Sequence, residues 1–184
     1  MLRLHLGCGK RYLTGYKHID YSSYDHIDHK EPIYPLPFIK DSSVDEIYCS
    51  HALEYFDYIE GIKVLNEWKR CLSKGGILRL SVPDFDQLIK VYEQKNQDID
   101  SIIGPVFGRW EVEKNKFIYH RTIYTRQKLF QALEKVGFSE IGEWDPLEFH
   151  GFDSHSFDDY SKAYFPHMDF KKGFPISINI LGKV

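Results

Sequence analysis

Leu2, Leu4 and Leu6 alternate with Arg3 and His5, the period-two pattern of a strand with one buried face. Gly7-Cys8-Gly9 follows at once. Lys17-His18-Ile19-Asp20 is a second short extended run, so at most a turn or two of helix fits between the two strands. Polar residues 21–31 lead into Pro32-Ile33-Tyr34-Pro35-Leu36-Pro37-Phe38, whose prolines forbid a helix and predict a loop against the sheet edge. Residues 44–50 read as a strand, and residues 52–72 as helical, with a break near Gly61 and a buried face marked by Ile62, Leu65 and Leu72. Lys74-Gly75-Gly76 predicts a helix stop and residues 77–82 the next strand, ended by Pro83. Phe85, Leu88, Ile89 and Tyr92 then recur at helical spacing.

Residues 97–124 show no clean period and are rich in aromatics, with Gly104-Pro105 and Gly108 interrupting any long element, so they predict a lid. Thr125 as N-cap and Gly137 as C-terminal stop bracket a helix that buries Leu129, Leu133 and Val136. Residues 139–144 and 176–181 predict two final strands. The excursion between them, residues 146–175, is longer than a hairpin needs. Strand and helix alternate along the chain, which predicts an α/β fold with an open, largely parallel sheet closed by a hairpin.

At 184 residues and 42% hydrophobic, the chain suits one core and is short for two, so residues 1–184 are read as a single domain. The net charge is −3 and the Lys and Arg residues are scattered, which argues against nucleic acid as a partner. Cys8, Cys49 and Cys71 are odd in number and widely spaced, as in reduced cytoplasmic proteins rather than disulfide or zinc frameworks. Cys8 is either a reactive thiol or a small side chain in a tight loop. No apolar run approaches the roughly 18 residues of a membrane span. Met1-Leu2-Arg3 leads straight into a strand with no signal-peptide pattern, so the expected location is cytoplasmic.

Candidate chemistry begins at Gly7-Cys8-Gly9, where the backbone turns with no Cβ in the way of a ligand. Asp20, thirteen positions after Gly7, ends a second parallel strand, where a carboxylate is placed to accept both hydroxyls of a ribose. Alone, that pattern fits a nucleoside site or an ordinary turn. Three further blocks follow in order: Leu36-Pro37-Phe38 through Asp45, then Ser50-His51-Ala52-Leu53-Glu54, then Leu72-Ser73-Lys74-Gly75-Gly76 before a strand. Together with residues 4–9 they resemble a class I S-adenosylmethionine-dependent methyltransferase, of the small bacterial-type group with a shortened first crossover.

That resemblance implies a Rossmann-like open seven-stranded, mostly parallel sheet in the order 3-2-1-4-5-7-6, the last strand antiparallel, with helices on both faces. It implies S-adenosylmethionine as cofactor, with Gly7, Cys8 and Gly9 approaching the methionine part, Asp20 taking the ribose hydroxyls and Asp28 meeting the adenine amino group. Ser50 and His51 would lie beside the sulfonium, and Pro83-Asp84 would face the acceptor. The third glycine position of the loop is occupied by Arg11, which implies a somewhat wider cofactor loop.

Methyl transfer from a sulfonium is an in-line displacement, so the protein supplies alignment and, for a hydroxyl acceptor, a base. His120 is either that base or a hydrogen-bonding residue of the lid, His51 either a base or a satisfied wall residue, and Asp84 either catalytic or the N-cap of the following helix. Arg109 and Arg121 are either anion-binding residues or surface ion-pair partners. Glu54 reads as holding neighbouring loops. Residues 150–155, with Asp158, Asp159, His167 and Asp169 nearby, lack any recognised ligand spacing, so no metal is expected; they read as a polar, aromatic rim of the acceptor pocket, whose rings either stack on a substrate or simply pack the insertion down.

The expected function is methyl transfer to a small molecule, with O-methylation of a sugar or related metabolite suggested by analogy. Two readings compete: a non-catalytic cofactor-binding module of the same fold, and an NAD-type Rossmann oxidoreductase, against which the turn lacks Gly-x-Gly-x-x-Gly. The aromatic 146–175 excursion offers a surface from which a homodimer could be built, the sequence leaves the oligomeric state open, and no membrane partner is expected.

Overall fold

The computed structural model describes residues 1–149, 158–167, 169 and 171–184. Strand β1 (Arg3–Leu6) pairs in parallel with β2 (Lys17–Ile19) on one side and β3 (Val44–Ser50) on the other. Helix α1 (Tyr58–Cys71) connects β3 to β4 (Leu72–Pro83), also parallel, and α2 (Phe85–Gln94) follows directly. The lid segment contains the short helix α3 (Ile103–Phe107) and a hairpin of β5 (Trp110–Glu113) and β6 (Lys116–Ile118). After α4 (Arg126–Val136) come β7 (Ser139–Glu143), a small ladder of β8 (Tyr164–Phe165) and β9 (Phe174–Pro175), and β10 (Ser177–Lys183).

The main sheet runs β2-β1-β3-β4-β10-β7, with β10 antiparallel to both neighbours. Seven strands are expected in the main sheet and six form among the described residues. The outermost one is missing because the chain beyond β2 makes one isolated bridge, Ile19 to His29, before Pro32, Pro35 and Pro37, which have no N–H to give a ladder. The predicted helical break also moves. A 3-10 turn, Leu53–Tyr55, precedes α1, which starts at a capping box in which Asp57 Oδ1 accepts from Ile59 N and Glu60 N, both at 2.9 Å. Gly61 lies inside α1, where a Cβ would stand 3.0 Å from the Tyr124 hydroxyl.

One face of the sheet is apolar. Leu4, Leu6, Ile47, Cys49, Leu78, Leu80 and Ile180 pack there against Val64, Leu65 and Trp68 of α1 and Leu129 and Leu133 of α4. The strand alternation turns His5, Tyr48, Ser50, Arg79, Ser81 and Asn179 to the other face. Helices on both faces are expected, but the crossover between β1 and β2 is too short to lay a helix here. Loops cover this face instead: Leu13 and Tyr16 from the crossover, Trp144 and Phe149 after β7, and residues 159–162 of the excursion.

A polar face requires a polar cover. Asp159 is 2% exposed, and its Oδ1 accepts from Tyr48 Oη, Ser50 Oγ and Ser161 N, each at 2.8 Å. Asn179 Nδ2 donates to Ser161 O at 2.9 Å and Ser177 Oγ to Tyr160 O at 2.7 Å. The described part of the excursion therefore packs on its own sheet. Residues 150–155 of the expected acceptor rim lie outside the described residues, apart from which Asp158 and Asp159 bond to protein groups.

Asp159→Ala leaves two hydroxyls and a backbone N–H without their acceptor. The expected cost is about 3 kcal/mol, read as a lowered midpoint in urea unfolding. Asp159→Asn, which keeps a carbonyl acceptor, should lose less.

Candidate active site

The C-terminal ends of β1, β2 and β3 open onto a cavity of about 780 Å³. Its floor is the glycine turn. Gly7 N donates to Ile19 O at 2.9 Å, and Gly7 holds φ +66 with Ala52 Cβ 2.7 Å from where its own Cβ would stand. Gly9 N donates to Asp20 Oδ2 at 2.8 Å, and Ser22 N to Asp20 Oδ1 at 2.7 Å. The carboxylate lines the cavity at 9% exposure with two of its roughly four lone-pair sites in use. Tyr21, Pro32, Ile33 and Tyr34 form an apolar and aromatic wall beside it.

The opposite wall is the lid. Trp110, Phe117 and Tyr119 line the cavity, and Trp110 stands 3.5 Å from the position of a Cβ on Gly9. Tyr55, Phe56 and Tyr160 complete an aromatic chamber into which Lys63, Lys116, Arg121 and Glu60 also reach. Arg121 is bound to Asp57 at 2.9 Å and Glu60 at 2.5 Å, and Arg109, which is not among the residues lining the cavity, lies 3.5 Å over the Phe117 ring.

Of the expected site residues, Gly7, Gly9, Asp20, Ser50 and His51 meet at the cavity. Four do not line it. Cys8 is buried under the turn, and burial pushes its thiol well above the usual range, which removes the reactive-thiol reading. Asp28 is turned back to the edge of the sheet, accepting from Lys17 Nζ at 2.6 Å and His18 N at 2.9 Å, because a β2 with no outer neighbour leaves those groups to be satisfied. Asp84 caps α2, its Oδ1 accepting from Asp86 N at 3.0 Å and Gln87 N at 3.3 Å. His120 points behind the wall while Tyr119 and Arg121, its neighbours, face the cavity.

The ring of His120 is held by Pro105 O, 3.0 Å from Nδ1, so the proton sits there and the bare Nε2 faces Glu54 Oε1 at 3.6 Å. His51 has φ +51, a left-handed conformation uncommon for a residue other than glycine, and its Nε2 lies 2.8 Å from Ser177 Oγ. Ser177 gives its own proton to Tyr160 O, so His51 Nε2 is the donor and Nδ1 is bare, 3.6 Å from the same Glu54 oxygen. Burial pushes Glu54 up to about 8 and, with the Asp159 charge opposing, takes His51 down to about 3. At neutral pH the cluster is therefore a protonated acid between two neutral imidazoles.

Arg11, Tyr21, Trp110 and Tyr160 line the cavity and are not among the expected site residues. The adjacency of Tyr21 to Asp20 and the aromatic content of the lid were the available signals. Nothing in the chain order signals Tyr160.

Residues 4–80 match the family model described as a methyltransferase domain. An uncharacterised protein of Methanocaldococcus jannaschii is 31% identical over 115 residues, 61% of this chain and 48% of that protein, so the chain spans about half the length of this curated relative. Among solved structures, an S-adenosylmethionine-dependent methyltransferase of Archaeoglobus fulgidus superposes with a TM-score of 0.56 at 16% identity, covering 99% of this chain and 85% of that one. One from Methanosarcina mazei gives 0.56 at 16%, covering 99% and 92%.

The fold is thus that of the class I S-adenosylmethionine-dependent methyltransferases, enzymes whose cofactor is S-adenosylmethionine. The stretch that matches the methyltransferase-domain model, residues 4–80, holds the glycine turn and Asp20. The cavity fits that cofactor. A carboxylate with free lone pairs meets a diol, Gly9 leaves the floor open where a Cβ would intrude, and the volume is that of a nucleoside-sized pocket.

Glu54 also sets a pH dependence. Folded, it keeps its proton up to about pH 8, whereas its ordinary value is 4.5, so across that window the folded state holds an extra proton and rising pH costs stability. Buried His5 and His51, both down to about 3, give the opposite slope, but it ends near their ordinary 6.5. Between pH 6.5 and 8 stability should fall by up to about 1.4 kcal/mol per pH unit. Glu54→Gln should abolish that fall in thermal unfolding scans.

Proposed function

We propose that this protein transfers a methyl group from S-adenosylmethionine to an oxygen of a small molecule, a sugar or related metabolite, with residues 1–184 acting as one catalytic unit. The observation that carries the reading is Asp20. Its carboxylate ends β2, braces the glycine turn through Gly9 N, and still faces a cavity continuous with the aromatic chamber under the lid. Tyr55, Phe56, Trp110, Phe117 and Tyr119 offer flat apolar faces for stacking on a ring. With a net charge of −3, the chain offers little to a polyanion, which supports a small acceptor over nucleic acid.

The cofactor, when bound, supplies an electrophilic methyl group. The chain's own part is to hold the reactants in line and exclude water, for which the lid hairpin and the left-handed His51 turn are placed. Of the three candidate bases, His51 alone borders the cavity, so it is assigned the acceptor contact; His120 and Asp84 are assigned structural roles. The bare Nδ1 of the neutral imidazole is the atom that would take the acceptor hydroxyl's proton as the methyl group leaves sulfur for oxygen.

Calorimetric titration with S-adenosylhomocysteine should show micromolar binding, weakened about tenfold or more in Asp20→Asn, and NADH should not compete. Absence of binding to the native chain would sink the reading. For His51→Asn, which tolerates the left-handed backbone, turnover of labelled S-adenosylmethionine on a sugar panel should drop at least tenfold, with S-adenosylhomocysteine affinity kept within about twofold.

A further inference from the structure

Arg11 stands where the loop would carry its third glycine, and its side chain reaches into the cavity instead of leaving it. The backbone permits this because Arg11 N donates to Cys8 O at 2.9 Å, closing the turn and directing the side chain along the cavity wall. The side chain is 11% exposed and lies 4.3 Å from the centroid of the Tyr160 ring. Its Nε donates to Asp158 O, and Nη2 is 3.5 Å from Asp158 Oδ2. Asp158 is shared with Lys10 at 3.4 Å, so two cations face one carboxylate and a net positive charge remains.

The other cations of the cavity are differently placed. Arg121 is occupied by Asp57 and Glu60, Lys116 is exposed and lies 3.7 Å from Glu113, and Lys63 projects from α1. Arg11 alone adjoins the glycine turn. A guanidinium already ordered by a backbone carbonyl and an aromatic face loses little entropy on binding a carboxylate, for which its planar edge is matched.

S-adenosylmethionine has a ribose diol and, at the far end of the molecule from adenine, one carboxylate. Asp20 suits the diol, and Arg11 provides the charge that the carboxylate needs. We propose that the Arg11 guanidinium, set by Asp158 and Tyr160, binds the carboxylate at the amino-acid end of the cofactor. This rests on the methyltransferase reading above. It makes Asp158 and Tyr160 part of the cofactor site, since they order the receptor.

The test is calorimetric titration of the full chain with S-adenosylhomocysteine and with its decarboxylated analogue, S-adenosyl-3-thiopropylamine. The native protein should favour S-adenosylhomocysteine by about tenfold or more. Arg11→Gln should erase that preference to within about twofold while binding the decarboxylated analogue as the native chain does, the coupling expected of two groups in contact. Arg11→Lys, which keeps the charge without the fork, should retain part of the preference. If Arg11→Gln weakens both ligands equally, or keeps the native preference, the assignment is overturned. Native protein that binds neither ligand overturns the methyltransferase reading and this assignment with it; native binding without a carboxylate preference overturns this assignment alone.

Discussion

An ionised carboxylate buried at 2% exposure is costly unless several donors converge on it, and Asp159 meets that condition with the Tyr48 and Ser50 hydroxyls and the Ser161 amide. Burial alone would raise its pKa; the Ser161 and Ser50 hydrogen bonds hold it below the usual carboxylate range. That constraint locks residues 158–161 onto the end of β3. From there the neighbouring positions follow: Ser50 is oriented at the cavity edge, Tyr160 lies between Arg11 and His51, and Asp158 reaches the glycine loop.

Glu54 shows the opposite solution for a buried acid. Among the described residues no side chain donates a hydrogen bond to its oxygens, and burial keeps it protonated to about pH 8 between His51 and His120. Its backbone carbonyl meanwhile accepts from Arg121 N at 2.8 Å and Thr122 N at 3.3 Å, tying the end of the lid to the turn before α1. Two acids within one small fold thus take different protonation states from their surroundings, one anionic and one neutral. The anion builds the wall near the glycine turn, and the neutral acid lies behind the aromatic chamber.

The missing first helix and the missing outer strand have separate local causes, a short connection and a run of prolines. Residues 10–16 are too few for a helix that would cross the second face, and the prolines of residues 32–37 give no ladder. The sheet is left with an uncovered polar face and a bare β2 edge. Loops settle both: the excursion covers the face, and Asp28 with His29 satisfies the edge through His18.

Local periodicity was enough to read β1, β3, α2, α4 and the closing hairpin, because each carries an alternation or a capped amphipathic stretch of its own. The glycine turn and Asp20 were legible for the same reason, since the turn needs positive φ and the acid ends a strand. Side-chain direction was not. Whether His120 faced the cavity, whether Asp84 was free, and where Asp28 pointed depended on hydrogen-bond partners far along the chain or on an edge the sequence does not display. The place of Arg11 depended on contacts with Asp158 and Tyr160, about 150 residues away, and such long-range packing has no local signature. The sequence by itself determined the inner strands, the turn and the acid at its rim, because these arise from local backbone chemistry. Tertiary structure decided which polar side chains reach the cavity, because residues 158–162 had to cover a sheet face that no α-helix among the described residues covers.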